Sequence, residues 1–219
     1  MLGVKGGHLG IVEYLCHVGA DVTMTDNHGF DCGFTAVKES QGDVLAFLIK
    51  HEFVDINAQY LSRVSEDSGS LLRYEGDSGL VKGDSLLHFA IKLGDITMIR
   101  LLIDHKINLN LANRLQQTPV FYSIIYKNLK CLEILVRSGC SQTLQDSNGD
   151  FPLTLATKHS YLDAMDFLFT KPLPKHIVLS ALQIATENNN EEAASVLFLS
   201  GLKRRISLLN KLLTFLLFM

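Results

Sequence analysis

The 219-residue sequence predicts an all-α fold, a solenoid of stacked helix–turn–helix units. Two observations predict it. A small residue, at Ala90, Ser123 and Ala156, recurs every 33 residues, and the same apolar pattern follows each one. Self-similarity at such a period marks repeat architectures, in which one supersecondary unit stacks on the next.

The frame extends in both directions. Backwards, Ala36 lies 54 residues before Ala90, which is one repeat plus an insertion of 21, and a further step of 33 reaches Gly3. Forwards, Ala185 follows Ala156 by 29 residues. Eight, nine, eleven and twelve residues past the small residue come Ile11, Val12, Tyr14 and Leu15, then Val44, Leu45, Phe47 and Leu48. Met98, Ile99, Leu101 and Leu102 repeat the pattern, as do Cys131, Leu132, Ile134 and Leu135. Ala164, Met165, Phe167 and Leu168, then Ala193, Ala194, Val196 and Leu197, complete it. Offsets of three and four put each set on one face of a helix. A shorter apolar helix precedes each set, and a turn with Gly or Asn separates the units. A two-helix unit cannot bury its apolar face alone, so its neighbours must cover it.

Bulk composition agrees. A hydrophobic content of 47% with 20% charged residues is globular. There is no Trp and there are only four Pro, which suits helices. A net charge of −3 gives no reason to expect nucleic acid or an anionic membrane. Cys16, Cys32, Cys131 and Cys140 form neither a C-x-x-C pair nor a zinc-finger spacing with histidine. Cys131 sits in an apolar helical run, as a small buried thiol would. The opening MLGVKGGHLG lacks the charged and apolar regions of a signal peptide, and no N-x-[ST] sequon occurs. These features predict a reducing, intracellular compartment, most simply the cytoplasm.

The motifs within the units resemble those of the ankyrin-repeat family. Gly83–Ala90 matches G-x-T-P-L-H-x-A with Ser85 for Thr and Leu86 for Pro, and Thr118-Pro119 and Pro152-Leu153 match parts of it. Gly7-His8-Leu9 matches the interhelical G-H-L, and Gly19-Ala20-Asp21-Val22 the end of the second helix. Asp26–Gly29 and Asp146–Gly149 match the D-x-x-G of the finger. The resemblance covers residues 1–61 and 83–201. It implies an ankyrin solenoid with short β-hairpin fingers, and bridging structural roles for His8 and His88. The sequence also departs from the family. DCGFTA replaces T-P-L-H-x-A in the second unit, KPLPKHIVL replaces the last finger, and Met1 and Leu2 fall inside the first inner helix. The chain is therefore expected to be a fragment or shortened isoform of a longer array.

Two segments lie outside the repeats. Residues 62–82, rich in Ser, Gly and charge, have the composition of a flexible loop. In 202–219, Lys203, Arg204 and Arg205 precede 14 mostly apolar residues, short of the roughly 20 a membrane helix needs. A capping helix and a truncated repeat are favoured there over a membrane-surface segment.

No catalytic constellation is evident. Gly76-Asp77-Ser78-Gly79 resembles the surroundings of a serine nucleophile, but nothing in the pattern holds a base beside it. Phosphate-loop, dinucleotide and H-E-x-x-H motifs are missing and the eight histidines are scattered. Neither an enzyme, a cofactor nor a metal is expected. The resemblance instead implies a scaffold or adaptor that binds a protein through a concave groove. The alternative is a regulatory ankyrin section of a larger trafficking protein, channel or enzyme. Family positions at the finger tips are Asn27, His28, Phe30, Arg114, Leu115, Gln117, Asn148 and Asp150, and those on inner helices include Leu93, Ile125, Tyr126 and His159. Leu93, Ile125 and Tyr126 either pack on one another or the insertion, or form a binding hot spot. Asn57 and Asn110 occupy positions that resemble asparaginyl-hydroxylase targets, or else bond their own turns.

Overall fold

The computed structural model describes residues 1–61 and 80–200. Most of the insertion, the Gly76–Gly79 tetrapeptide and the 202–219 tail lie outside the described residues. The chain divides into two compact units, Met1–Cys140 and Ser141–Met219. The first unit pairs α1 (Leu2–Lys5) with α2 (Leu9–His17) and α3 (Cys32–Lys38) with α4 (Gly42–Lys50). It then pairs α5 (Leu86–Leu93) with α6 (Ile96–Asp104) and α7 (Pro119–Ile125) with α8 (Leu129–Arg137). The second unit holds α9 (Pro152–Lys158), α10 (Leu162–Leu168), α11 (Lys175–Glu187) and a helical stretch at 191–200. Among the described residues no strand forms. The fingers are hairpin turns too short for a ladder, with one antiparallel bridge between Gln59 and Ser85.

The small residue that sets the period has a structural cause. Five residues after it, a backbone N–H returns to its carbonyl: His8 to Gly3, Gln41 to Ala36, Asp95 to Ala90, Asn128 to Ser123, Tyr161 to Ala156 and Asn190 to Ala185. These bonds are 2.8–3.1 Å long and close each inner helix in a Schellman-type turn. The residue before the donor is left-handed in all six, with φ from +49° to +70°, though only Gly7 and Gly94 are glycine. The irregular last unit keeps the same turn.

Helices of seven to nine residues, such as α3 to α8, are marginal alone, so packing must hold them. Six consecutive residues of inner helices α3, α5, α7 and α9 are buried: 32–37, 86–91, 119–124 and 152–157. Outer helices bury one stripe. Val44, Leu45 and Leu48, Met98, Ile99 and Leu102, and Cys131, Leu132 and Leu135 are at most 1% exposed. In the first unit α3 packs on α5 and α5 on α7, while α4 packs on α6 and α6 on α8. Burial pushes the Cys131 thiol up to about 11, which fits a packing role.

The inner helices start differently. Asp31 replaces the Thr-Pro entry of the second repeat, its Oδ1 accepting from Phe34 N–H at 2.9 Å. Thr154 Oγ1 accepts from Phe151 N–H at 2.7 Å and donates to Phe151 O. At the equivalent place in α7 stands Phe121, which can neither donate nor accept, and the buried Thr118 hydroxyl has no partner. Two substitutions should therefore move stability in opposite directions. Leu102→Ala should cost roughly 2–5 kcal/mol, and Thr118→Val should gain about 1 kcal/mol, both read from denaturant midpoints.

Candidate protein-binding surface

Three fingers share one device. The Oδ1 atoms of Asp26, Asn113 and Asp146 each accept from the two backbone N–H groups two and four residues on, at 2.8–3.0 Å. Backbone bonds from Asp26 N to Phe30 O, Asn113 N to Gln117 O, and Asp146 N to Asp150 O close the turns. This holds Asn27, His28, Arg114 and Asn148 exposed at the tips, with Leu115 partly so. In the remaining finger Tyr60 N–H donates to Asp84 O. Tyr60 to Asp84 spans 24 residues where Asp26 to Phe30 spans four, so this finger carries twenty of the 21 extra residues. The last one lies after α4, since Leu48 to Asp55 spans seven residues and Leu102 to Asn108 six. Residues 80–82, counted with the insertion on sequence, belong to the finger itself. Leu80 is buried, Val81 N–H donates to Asp84 Oδ2 and Lys82 O accepts from Arg114 N–H.

Beneath this finger lies a buried carboxylate. Asp84 is fully buried and accepts from Val81 N–H at 2.7 Å and Asn113 Nδ2 at 2.8 Å. The Tyr122 hydroxyl donates between its two oxygens at 2.8 and 2.7 Å. Burial and the neighbouring Asp84 charge push the Tyr122 hydroxyl far above its ordinary range, so it remains a donor. His88, edge-on to Tyr122 at 4.9 Å, links two repeats. Its Nδ1 accepts from Ser85 N–H at 3.0 Å, which puts the ring proton on Nε2, 3.0 Å from the Gln117 carbonyl. The bridging role implied for His88 is therefore present. His8 is exposed and caps α2 without a side-chain bond.

A register of eight residues ties fingers to inner helices. Lys158 Nζ lies 2.7 Å from Asp150 Oδ2, and Lys38 Nζ lies 5.4 Å from the Phe30 ring centre. Burial lowers the Lys92 ammonium pKa, and the Asp84 charge opposes that shift. The fourth pair is Gln117 and Ile125, with no cation. That substitution opens an apolar strip on the first unit. Leu93 is 46% and Tyr126 40% exposed, Ile125 is partly exposed, and the Tyr126 ring lies 5.8 Å from Tyr122.

Two expected surface residues are core residues instead. Phe30 is fully buried among Phe34, Tyr60 and Phe89 at ring separations of 5.4–6.1 Å. Asp150 is buried and held by Thr154 and Lys158, because the finger turns its side chain back onto its own helix. Gln117 is partly exposed but lends its carbonyl to His88. His159 is exposed on the second unit. Asn57 does not bond its own turn. Its Oδ1 accepts from Asn108 N–H of the next repeat at 2.9 Å, and Asp55 and Asn108 make the turn bonds to Asn57 and Asn110. The Asp84–Asn113–Tyr122 network was missed on sequence, although the eight-residue spacing of Asp84 and Lys92 was there to find. Among the described residues no three His, Cys, Asp or Glu gather as metal ligands, and no helix is long and apolar enough to cross a membrane.

The family model for ankyrin repeats (3 copies) matches residues 69–146, the stretch that holds the Asp84 network and the apolar strip. The chain belongs to the ankyrin-repeat family. Among ankyrin-repeat relatives, NF-kappa-B inhibitor alpha of Homo sapiens is 31% identical over 158 residues, 70% of this chain and 46% of that protein. The Sus scrofa protein of the same name is 33% identical over 112 residues, 49% of this chain and 35% of its own length. Ankyrin repeat domain-containing protein 53 of Macaca fascicularis is 32% identical over 88 residues, 37% of this chain and 18% of that protein. The chain thus spans less than half the length of these relatives. Ankyrin repeats imply protein–protein interaction.

The His88 bridge makes this repeat pair sensitive to acid. Burial, opposed by Asp84 and the Gln117 carbonyl, holds His88 below the ordinary imidazole value of 6.5. The unfolded chain therefore binds the proton more readily, so the contribution of His88 is complete above 6.5 and lost as pH falls through the lower folded value. Denaturation midpoints should drop between neutral and mildly acidic buffer. In His88→Gln the neutral midpoint should be lower and the drop smaller, and an equal drop in both proteins would contradict this.

Proposed function

We propose that the chain is a non-enzymatic interaction module, an intracellular scaffold or adaptor that holds a protein partner in its groove. The observation that supports this is the exposed strip of Leu93, Ile125 and Tyr126. The equivalent positions elsewhere carry Lys38 and Glu39, Lys92, and Lys158 and His159. Aromatic and aliphatic side chains at the centre of a polar surface are the usual anchors of an interface. Arg114 and Gln117 on the adjoining finger form its polar rim, with Leu115 between them, and Asn27 and His28 extend the same set of tips. Asn148 and His159 offer the corresponding tip and helix end on the second unit. The relatives named as inhibitors of NF-kappa-B make that protein the first partner to try, and occupation of the partner the first mode of action to test.

Tyr126→Ala should weaken capture of a partner by about 2 kcal/mol with little loss of stability. Glu133→Ala, on outer helix α8, should leave it unchanged. Capture that survives the first change and fails with the second would move the interface to the opposite side.

We also propose Asn57 and Asn110 as hydroxylation sites, supported by their exposure in the turns between repeats. Mass spectra of cell-derived protein should show one added oxygen at either residue, and unmodified peptides at both would dispose of the idea.

A further inference from the structure

The last repeat buries less of its apolar surface than the repeats before it. In α11 only Ile177, Ala181 and Ala185 are buried, one stripe at intervals of four. Inner helices α5, α7 and α9 each bury six consecutive residues. Neighbours make the difference: α5 lies between α3 and α7, whereas α11 packs on α9. Leu182 is 36% exposed, while Leu87, Val120 and Leu153, also three residues before the small residue, are at most 1%. Phe198 is 69% exposed, while of its equivalents Val136 and Phe169 are buried and Ile49 and Ile103 partly so. Ala194 is partly exposed where Leu45, Ile99, Leu132 and Met165 are fully buried. Leu182, Ala194 and Phe198 thus leave open positions that the other repeats cover.

The sequence that follows directly, after Gly201, has the pattern to cover them. At roughly 100° per residue, every apolar residue of 202–217 falls within one arc of about 200°, broken only by Arg205. Lys203, Arg204, Ser207, Asn210, Lys211 and Thr214 take the opposite arc. This is the pattern of a helix that lays one face on an apolar surface. A further repeat in the 33-residue frame would instead put a finger at 208–212, ten to six residues before the next small position. Leu208-Leu209-Asn210-Lys211-Leu212 has neither the Asp nor the Gly of that turn. Charge is also complementary. Residues 141–200 hold seven Asp and Glu against three Lys and Arg, and 202–219 hold four Lys and Arg with no acid. Asp146 and Asp150 are occupied by the finger and by Lys158, but Glu191 and Glu192 stand exposed where the last helical stretch begins.

We infer that residues 202–217 form an amphipathic helix that caps the last repeat, its apolar arc on Leu182, Ala194 and Phe198. The inference is independent of the groove reading. A terminal repeat of a stack needs a cover that is apolar inside and polar outside, which this segment supplies. At about 1.5 Å per residue, its 16 residues span about 24 Å as a helix, enough to run the length of the ten-residue stretch 191–200. Direct attachment gives the segment a high effective concentration at this face, which favours it over a second copy of the chain. A membrane surface would take the same apolar arc but leave Leu182 and Phe198 in water.

The chain has no Trp, so a single tryptophan reports on this segment without background. In the full chain, Leu209→Trp lies in the apolar arc and Ser207→Trp in the polar one. Without lipid, Leu209→Trp should emit at shorter wavelength and resist acrylamide quenching several-fold better than Ser207→Trp. Adding Leu182→Asp or Phe198→Asp to Leu209→Trp should move its emission and quenching to those of Ser207→Trp. Tyr14→Asp, at an exposed position of α2, should leave them unchanged. Circular dichroism of each variant excludes loss of the repeat fold as the cause. Equal quenching of the two tryptophans would overturn the inference. So would a blue shift that ignores both Leu182→Asp and Phe198→Asp. A shift that arises only on adding vesicles of phosphatidylcholine and phosphatidylserine would overturn it in favour of a membrane-surface segment. A shift that vanishes on dilution, as light scattering shows dimers dissociating, would overturn it in favour of a second copy.

Discussion

One backbone hydrogen bond recurs in every repeat and organises the rest, from the N–H five residues past the small residue to that residue's carbonyl. It needs a left-handed residue just before the donor and brings the start of the outer helix close to the inner one. Ala36, Ala90, Ser123, Ala156 and Ala185, which accept it, are fully buried, and a larger side chain there would hold the two helices apart. Once the turn is set, the residues eight, nine and twelve positions on face the inner and neighbouring outer helices. Ile11 and Leu15, on the same stripe of α2, are 53% and 42% exposed where their equivalents in the next three repeats are at most 1%. Stability in such a stack comes from neighbouring repeats more than from any single unit.

Polar groups then hold the fingers at fixed heights above the inner helices. A side-chain oxygen that takes two backbone N–H groups replaces the ladder that so short a hairpin lacks. In the finger with twenty extra residues that oxygen is gone, because Tyr60 stands in its place. Asp84 compensates from the other side of the turn, held by Val81, Asn113 and Tyr122. A buried carboxylate is tolerable only when its oxygens are bonded, which couples this finger to α7 and to the next finger. Gly83 allows the approach. At φ +90°, a Cβ there would come within 3.1 Å of the Asn113 and Arg114 backbone.

The same constraint explains why some expected surface positions are not surface. A finger residue and the inner-helix residue eight places later face each other, so Phe30 pairs with Lys38 and Asp150 with Lys158. Family position alone put Phe30 and Asp150 at the rim. The pairing turns one into an aromatic core and the other into a buried ion pair, while Ile125, opposite Gln117, leaves an apolar gap beside Tyr126.

Periodicity determined the all-α repeat fold and the place of the helix pairs, because each follows from local spacing that any neighbour must satisfy. The motifs within the units carried the family resemblance. Of the apolar positions eight, nine, eleven and twelve past the small residue, the one at eleven is nowhere buried. The family resemblance placed Leu93, Ile125 and Tyr126 at positions that are wholly or partly exposed. Only the tertiary structure decided that residues 80–82 belong to a finger, that Thr118 lost its partner to Phe121, and that Asn57 bonds the following repeat. Only there do Asp84, Asn113 and Tyr122 meet, up to 38 residues apart in sequence. The reason is physical: burying a stripe depends on residues three and four apart on one helix, whereas satisfying a buried charge depends on atoms from several repeats arriving within 3 Å.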